Sequence, residues 1–346
     1  MKKLFNILLA VVLTIACAFS LTACSTDDSG STGRTGLVIS KDKQGNYVIR
    51  DFVYVDGCLD EEGTLVIDDF LTAKGIGYDD TVKISTGAFD GDDKIYKLIV
   101  SDKIDEIEQG AFRNMKSLEF LQIPFVGKNA KADAVYNQTD WAEGKATDKE
   151  RTFSHFFGET AYEEGRKMNN GFGDVYVPYS LRKVKVDATE KVDYTVYDGT
   201  NLLKEGYAIA RHAFKGANFL QEITLSGVNL KEIGEEAFSG CSALKKLIIP
   251  DTIKTIYASA FSGCLQLTDV IFEGINVVLK ENVFSGCTSM NKIYRQQDNT
   301  IKTTVDLSCF LAVGNNAFDF GREVKYTVIN QGTFNLKTIF GDTETN

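Results

Sequence analysis

Residues 233 to 250 read Ile-Gly-Glu-Glu-Ala-Phe-Ser-Gly-Cys-Ser-Ala-Leu-Lys-Lys-Leu-Ile-Ile-Pro, and the way this stretch recurs decides the fold. It opens with a phrase that begins with Ile, Leu or Val and ends in Phe five residues later. The phrase occurs at Ile84–Phe89, Ile107–Phe112, Ile209–Phe214, Ile233–Phe238, Ile256–Phe261, Leu279–Phe284 and Val313–Phe318. Ala precedes the Phe in every copy except Val283-Phe284. Consecutive Phe residues lie 23, 102, 24, 23, 23 and 34 positions apart. A period in the twenties marks a solenoid, in which one repeat cannot bury its own apolar face and its neighbours supply the core.

Behind the phrase, Leu244, Leu247 and Ile249 give a Leu-x-x-Leu-x-Leu frame whose last two positions alternate as a strand buried on one face requires. Ser239-Gly240 is a turn signal, and Pro250 stops the strand because it has no N–H to donate. The frame returns at Leu267, Val270, Phe272, at Met290, Ile293, at Ile95, Leu98, Val100, at Leu118, Leu121, Ile123 and at Leu220, Ile223, Leu225. It continues through Val184 and Val186, so the 102-residue gap holds a further strand without an Ala-Phe phrase. The 34-residue spacing reads as a shorter loop after Cys287.

The run Ile-Gly-x-x-Ala-Phe-x-Gly-Cys-x-x-Leu-x-x-Leu-x-Ile-Pro resembles the BspA-type leucine-rich repeat of bacterial surface proteins, over about Thr81 to Phe318. Phe157-Gly158 and Val177-Pro178-Tyr179-Ser180-Leu181 resemble a longer variant unit of the same family. The resemblance implies a horseshoe-like, β-rich leucine-rich repeat solenoid with one parallel strand per repeat and adhesive or recognition roles. It implies no particular ligand. The organisation expected is a signal peptide at 1–23, a flexible tether at 24–36, an N-terminal β-cap at 37–80, repeats at 81–318 with an insert at 125–174, and a C-terminal cap and tail at 319–346. Tyr47-Val48-Ile49 and Leu65-Val66-Ile67 are the β-prone runs of the first cap, and Thr338 to Asn346 reads as a frayed tail.

Met1-Lys2-Lys3, the apolar stretch Leu4 to Phe19 and Leu21-Thr22-Ala23-Cys24 resemble the bacterial lipoprotein signal, which implies a lipid on Cys24. The alternative is an ordinary leader cut after Ala23, leaving Cys24 unmodified. Loss of Lys2 and Lys3 takes the 38 basic side chains to 36, against 48 acidic, a formal charge of −12. That balance and the lack of a basic stripe argue against nucleic acid and against electrostatic docking on anionic lipid. The expected membrane link is the lipid on Cys24.

The recurring Phe residues read as a stacked core column. Cys241, Cys264 and Cys287 share one slot, filled elsewhere by Asp92, Met115 and Ala217, which suits a small buried hydrophobe. A disulfide between adjacent coils is within reach of the Cα spacing, but Cβ vectors running parallel disfavour it. Cys58 and Cys309 lie in the end regions. His212 falls in a slot that elsewhere holds Gly87, Gly110, Glu236, Ser259 and Asn282, a variety that marks an exposed, unconstrained position. His155, beside Phe156-Phe157-Gly158, reads as packing. Nucleophile elbow, zinc-protease and Walker motifs are missing, and the acidic stretches Asp90-Gly91-Asp92-Asp93 and Asp60 to Asp69 do not follow EF-hand spacing. No catalytic, cofactor or metal residue is assigned, and an enzyme is the weakest reading.

Recognition is expected on the strand face. The residue between the last two apolar positions points away from the core, and that column reads Ile99, Gln122, Lys185, Thr224, Ile248, Ile271 and Tyr294. Ile248, Ile271 and Tyr294 form an expected apolar ridge, flanked by the charge-alternating Glu222, Lys246, Asp269 and Lys292. The alternative is that Ile is there only because it favours strands. Trp141 and Tyr136, among polar neighbours in the insert, are a second candidate, while most other insert aromatics are expected to bury it against the convex side. The chain thus reads as a lipid-anchored bacterial cell-surface binding or adhesion module for a host or envelope protein or polysaccharide. The alternative is a structural or assembly component of the envelope without an external ligand.

Overall fold

The computed structural model describes residues 36–130, 148–189, 196–198, 201–204, 206–295, 304–321 and 327–341. Cys24, Tyr136 and Trp141 lie outside the described residues. The Leu-x-x-Leu-x-Leu frame becomes one long sheet. Its ten strands, in spatial order, are Thr64–Val66, Lys97–Ile99, Phe120–Ile123, Lys183–Asp187, Glu222–Ser226, Lys246–Ile249, Asp269–Phe272, Lys292–Arg295, Thr304–Asp306 and Thr327–Ile329. Every pairing is parallel. Leu98, Leu121, Val184, Ile223, Leu247, Val270, Ile293 and Val305 are buried beneath it. Period-two alternation with one wet face produces this arrangement.

Each regular coil also carries a second strand, which corrects the expectation of one per repeat. Tyr207–Ile209, Leu230–Ile233, Thr255–Ile256, Val277–Leu279 and Phe310–Val313 form a five-stranded parallel sheet. Val82–Ile84 and Ile104–Ile107 extend the antiparallel hairpin Gly36–Lys41 and Tyr47–Val53 into a four-stranded one. The parallel members run only two to four residues, too short for alternation to be seen in sequence. Each ends on the first residue of the phrase.

The phrase itself is a relay of backbone hydrogen bonds. All seven Phe residues donate N–H to the carbonyl one position before the equivalent Phe of the next coil. Phe89 donates to Ala111, Phe112 to Phe156, Phe214 to Ala237, Phe238 to Ala260, Phe261 to Val283, Phe284 to Ala317 and Phe318 to Ile339, at 2.6 to 3.0 Å. The rings stack accordingly: Phe214–Phe238 at 5.0 Å and 8°, Phe238–Phe261 at 5.1 Å and 1°, Phe261–Phe284 at 5.5 Å and 11°. Two of these acceptors reveal coils hidden in the sequence. Thr152–Phe157 and Asn335–Phe340 take the place of the phrase without its spelling.

The hidden coils correct several expectations. Phe156 meets Phe112 at 5.5 Å and Phe153 meets Phe214 at 5.0 Å, so these two phenylalanines of the insert join the core column instead of covering its convex side. The expected extra strand of the long gap is Lys183–Asp187. The 34-residue spacing is more than a loop, because Thr304–Asp306 adds a strand to the long sheet. Thr338 to Phe340 is not frayed: it lies in the helix Leu336–Phe340, with Ile339 and Phe340 buried and Phe340 5.3 Å from Phe318. At the other end Ile67 leaves the expected strand and starts the helix Ile67–Ala73, while Thr64–Val66 opens the long sheet. Asp68 and Asp69 suit that helix's first turn. Among the described residues no helix is long and apolar enough to cross a membrane.

The slot two residues before each Phe is constrained, not free. Gly87, Gly110, His212, Glu236, Ser259, Asn282 and Asn316 all have positive φ, between 51° and 70°. The side chain varies because the turn asks for a left-handed backbone and little else; Gly meets that demand at no steric cost. Ser259→Gly should therefore raise stability by about 0.5–1 kcal/mol, whereas Ser259→Val should lower it. Thermal unfolding of the two variants measures both signs.

Candidate functional site

The outward columns of the long sheet are in register. Ile99 pairs with Gln122, Gln122 with Lys185 and Lys185 with Thr224. Ile248 pairs with Ile271 and Ile271 with Tyr294. The flanking column runs from Lys183 through Glu222, Lys246 and Asp269 to Lys292. Residues in such columns stand about 4.8 Å apart, the strand spacing.

This contact makes the ridge unequal. Ile248 is 40% exposed and Thr224 is exposed, but Ile271, held between Ile248 and Tyr294, is only 7% exposed. Ile271→Asp would bury a carboxylate without a partner and so disturb the fold itself. Tyr294 is half-buried, with the Lys292 ammonium 5.6 Å from its ring centre. Burial, with the Asp269 carboxylate nearby, pushes its phenol up. Lys183 and Glu222 pair at 3.0 Å, both more than half exposed, so the pair adds charge complementarity and little stability. The face offers a small apolar strip with a mixed-charge border, suited to a broad contact. The open cleft of about 290 Å³ formed by Asn315, Asn316, Lys337, Thr338 and Gly341 is polar and lacks the apolar lining of a small-molecule seat.

Other sequence candidates are absorbed by the scaffold. Cys241, Cys264 and Cys287 are buried free thiols, and each S–H reaches the carbonyl of a Phe in the preceding coil: Phe214 at 3.3 Å, Phe238 at 3.3 Å and Phe261 at 3.1 Å. Burial pushes the Cys241 thiol well up, and the neighbouring Cys287 together with burial does the same to Cys264. Cys58 and Cys309 are also buried, with Cys309 pushed up to about 12 by burial. His212, expected to be exposed, is 9% exposed, with Nε2 3.1 Å from Glu236 and the ring 5.6 Å from that of Phe172. Its slot turns the side chain onto the adjacent coil.

The acidic stretches shape turns. Asp92 accepts the N–H groups of Lys94 and Ile95, Asp90 pairs with Arg113 at 2.7 Å, Asp60 accepts from Glu62 and Thr64, and Asp68 pairs with Lys103 at 3.0 Å. Among the described residues no group of three or more His, Cys, Asp or Glu is placed to hold a metal. Sequence reasoning missed Tyr96 and Tyr179, both exposed near the entry to the long sheet; Arg166 lies over Tyr179 at 5.1 Å and over Phe219 at 5.3 Å. The available signal was an aromatic one residue before Lys97–Ile99 and another inside Val-Pro-x-Ser-Leu.

A sequence model of the BspA type leucine rich repeat region matches the chain in six copies, over residues 78–148 and 207–339. The unmatched stretch between them contains Thr152–Phe157 and Lys183–Asp187, the coil that departs from the phrase. None of the curated proteins matches the chain. Among solved structures it is similar to a leucine-rich repeat protein of T. pallidum, with 16% identity, 84% of this chain and 88% of that one covered and a TM-score of 0.33. A leucine-rich repeat protein of Bacteroides ovatus gives 16% identity, 92% and 99% coverage and a TM-score of 0.21. A leucine rich cell surface protein of Faecalibacterium prausnitzii gives 13%, 80% and 97%, and 0.22.

The buried thiols provide a direct check. In native protein at about pH 8 a thiol reagent should leave Cys241, Cys264 and Cys287 unmodified, and denaturant should release all three together, because buried thiols held as S–H are inert. Mass spectrometry of the labelled cysteines reads the outcome.

Proposed function

Because the chain belongs to the BspA-type leucine-rich repeat family, we propose that it is a bacterial cell-surface binding module, lipid-anchored through Cys24, whose open strand face holds a host or envelope protein or polysaccharide. The observation that carries the reading is the register of Thr224, Ile248, Ile271 and Tyr294 beside the column Glu222, Lys246, Asp269 and Lys292. A solenoid needs the inward residues of each strand for its core and leaves the outward ones free to vary. An exposed apolar strip with charged borders is the surface that partner contacts use, the apolar part supplying affinity and the charges orientation. Binding by a rigid, preformed face loses little conformational entropy. The leader Leu21-Thr22-Ala23-Cys24 is what supports the anchor.

Ile248 is the position to test, since it is exposed where Ile271 is not. Ile248→Asp should weaken binding to a retained matrix protein or envelope polysaccharide at least about tenfold, a loss of about 1.4 kcal/mol, with the melting temperature unchanged. Undiminished binding would remove the strand face as the site and turn attention to Trp141→Ala. Separately, Cys24→Ser should end incorporation of a labelled fatty acid and release the protein from the membrane fraction; a labelled Cys24→Ser protein would overturn the anchor.

A further inference from the structure

In the regular coils one carbonyl is always taken by the next coil. Ile84 O accepts the N–H of Glu108, Ile209 O that of Gly234, Ile233 O that of Tyr257, Ile256 O that of Lys280 and Leu279 O that of Gly314, at 2.8 to 2.9 Å. At Ile107 the bond is made differently. The corresponding donor of its next coil is Phe153, and that N–H goes to Ala213 O at 2.7 Å. The imidazole of His155 stands in for it, with Nε2 2.9 Å from Ile107 O. The second sheet breaks at this point, with Ile104–Ile107 the last strand of one part and Tyr207–Ile209 the first of the other.

The coil that bridges the break is polar inside. Thr152 occupies the position of the phrase's first apolar residue, and Thr152, Ser154 and Asn170 are buried in one hydrogen-bonded cluster. His155 is 3% exposed. Because Ile107 O can only accept, Nε2 carries the ring proton of the neutral form. Nδ1 is then an acceptor, buried and without a hydrogen-bond partner. The charged groups facing the ring are Glu150, Lys128 and Glu106, and they are engaged with each other: Lys128 lies 3.5 Å from Glu150 and 3.9 Å from Glu106, which also meets Lys83 at 3.1 Å.

We propose that this coil is an acid-sensitive joint of the solenoid, closed by neutral His155 bonded to Ile107 O and opened when the ring takes a second proton. That proton must go to Nδ1, where a buried cation would have an N–H without an acceptor. Burial accordingly holds the ring's proton affinity below the ordinary value of 6.5, against the weaker pull of the Ile107 bond and Glu150. With the folded value depressed, the opened state binds more protons as pH falls below 6.5. The joint's stability is therefore complete above that pH and declines on acidification. The long sheet, continuous through Phe120–Ile123, Lys183–Asp187 and Glu222–Ser226, is expected to hold while the second sheet's two parts uncouple.

Hydrogen exchange on the mature protein, corrected for intrinsic rates, tests this. The amides of Gly110, Phe112 and Lys128, which donate to His155 O, Phe156 O and Glu150 O, report on the joint. Their protection should fall several-fold, up to about tenfold, between pH 7.5 and pH 5.5, while that of Phe238 and Phe261 holds. His155→Gln should abolish the pH dependence. His212→Asn should keep it, since Asn282 and Asn316 fill the same left-handed slot with φ of 57° and 53°. Equal loss at Phe238, pH-independent protection, or an unchanged profile in His155→Gln would overturn the joint. If His155→Gln does not fold, ring titration of the wild-type protein decides: a His155 that titrates at or above the ordinary value overturns the proposal.

Discussion

The structure depends on a short backbone relay in which the N–H of one phenylalanine is received by the carbonyl preceding its counterpart. Seven such bonds of 2.6 to 3.0 Å fix each coil against the next. Once coils are held at strand spacing, every side chain must live beside its own equivalent. That is tolerable for flat rings, which stack with interplanar angles of 1° to 11° from Phe214 to Phe284. It also suits thiols, each lending its proton to a carbonyl of the coil before. Parallel Cβ vectors do not bring the sulfurs into disulfide geometry, and Cys241, Cys264 and Cys287 remain free.

The same spacing shapes the exposed face. An outward residue is shielded by its two neighbours, so its accessibility depends on their size as much as its own. Ile248 and Ile271 are chemically identical and differ from 40% to 7% exposed because the second has an isoleucine on one side and a tyrosine on the other. The edge of an apolar strip is thus more available to a partner than its middle. Charge alternation in the neighbouring column avoids the repulsion that like charges at strand spacing would create.

Two departures from the repeat lie where the relay is received by unfamiliar residues. At Thr152–Phe157 phenylalanine replaces the small residue before the ring and threonine replaces the apolar opener, so ring positions shift and polar groups enter the core. A side chain, His155, completes a bond that backbone supplies elsewhere. At Asn335–Phe340 a short helix closes the last layer with Ile339 and Phe340. At the other end the N-terminal hairpin covers the first coil, with Phe52 stacked 6.1 Å from Phe89.

By itself the sequence determined the solenoid, the long sheet, its register and the buried columns, because these follow from residues recurring at a fixed period and alternation over several positions. The Gly and Asn of the slot before each Phe also carried the left-handed turn, although Glu236 and Ser259 concealed it by filling the same conformation at a cost in strain. Only the tertiary structure decided the second strand of each coil, since two to four residues hold too little alternation to register. Only it placed the relay in the hidden coils, where position in the stack, not residue identity, makes Phe156 and Ile339 acceptors. The unequal exposure of Ile248 and Ile271, and the burial of His212, were likewise settled there. Accessibility belongs to the neighbours that packing assembles, and no single strand's sequence contains them.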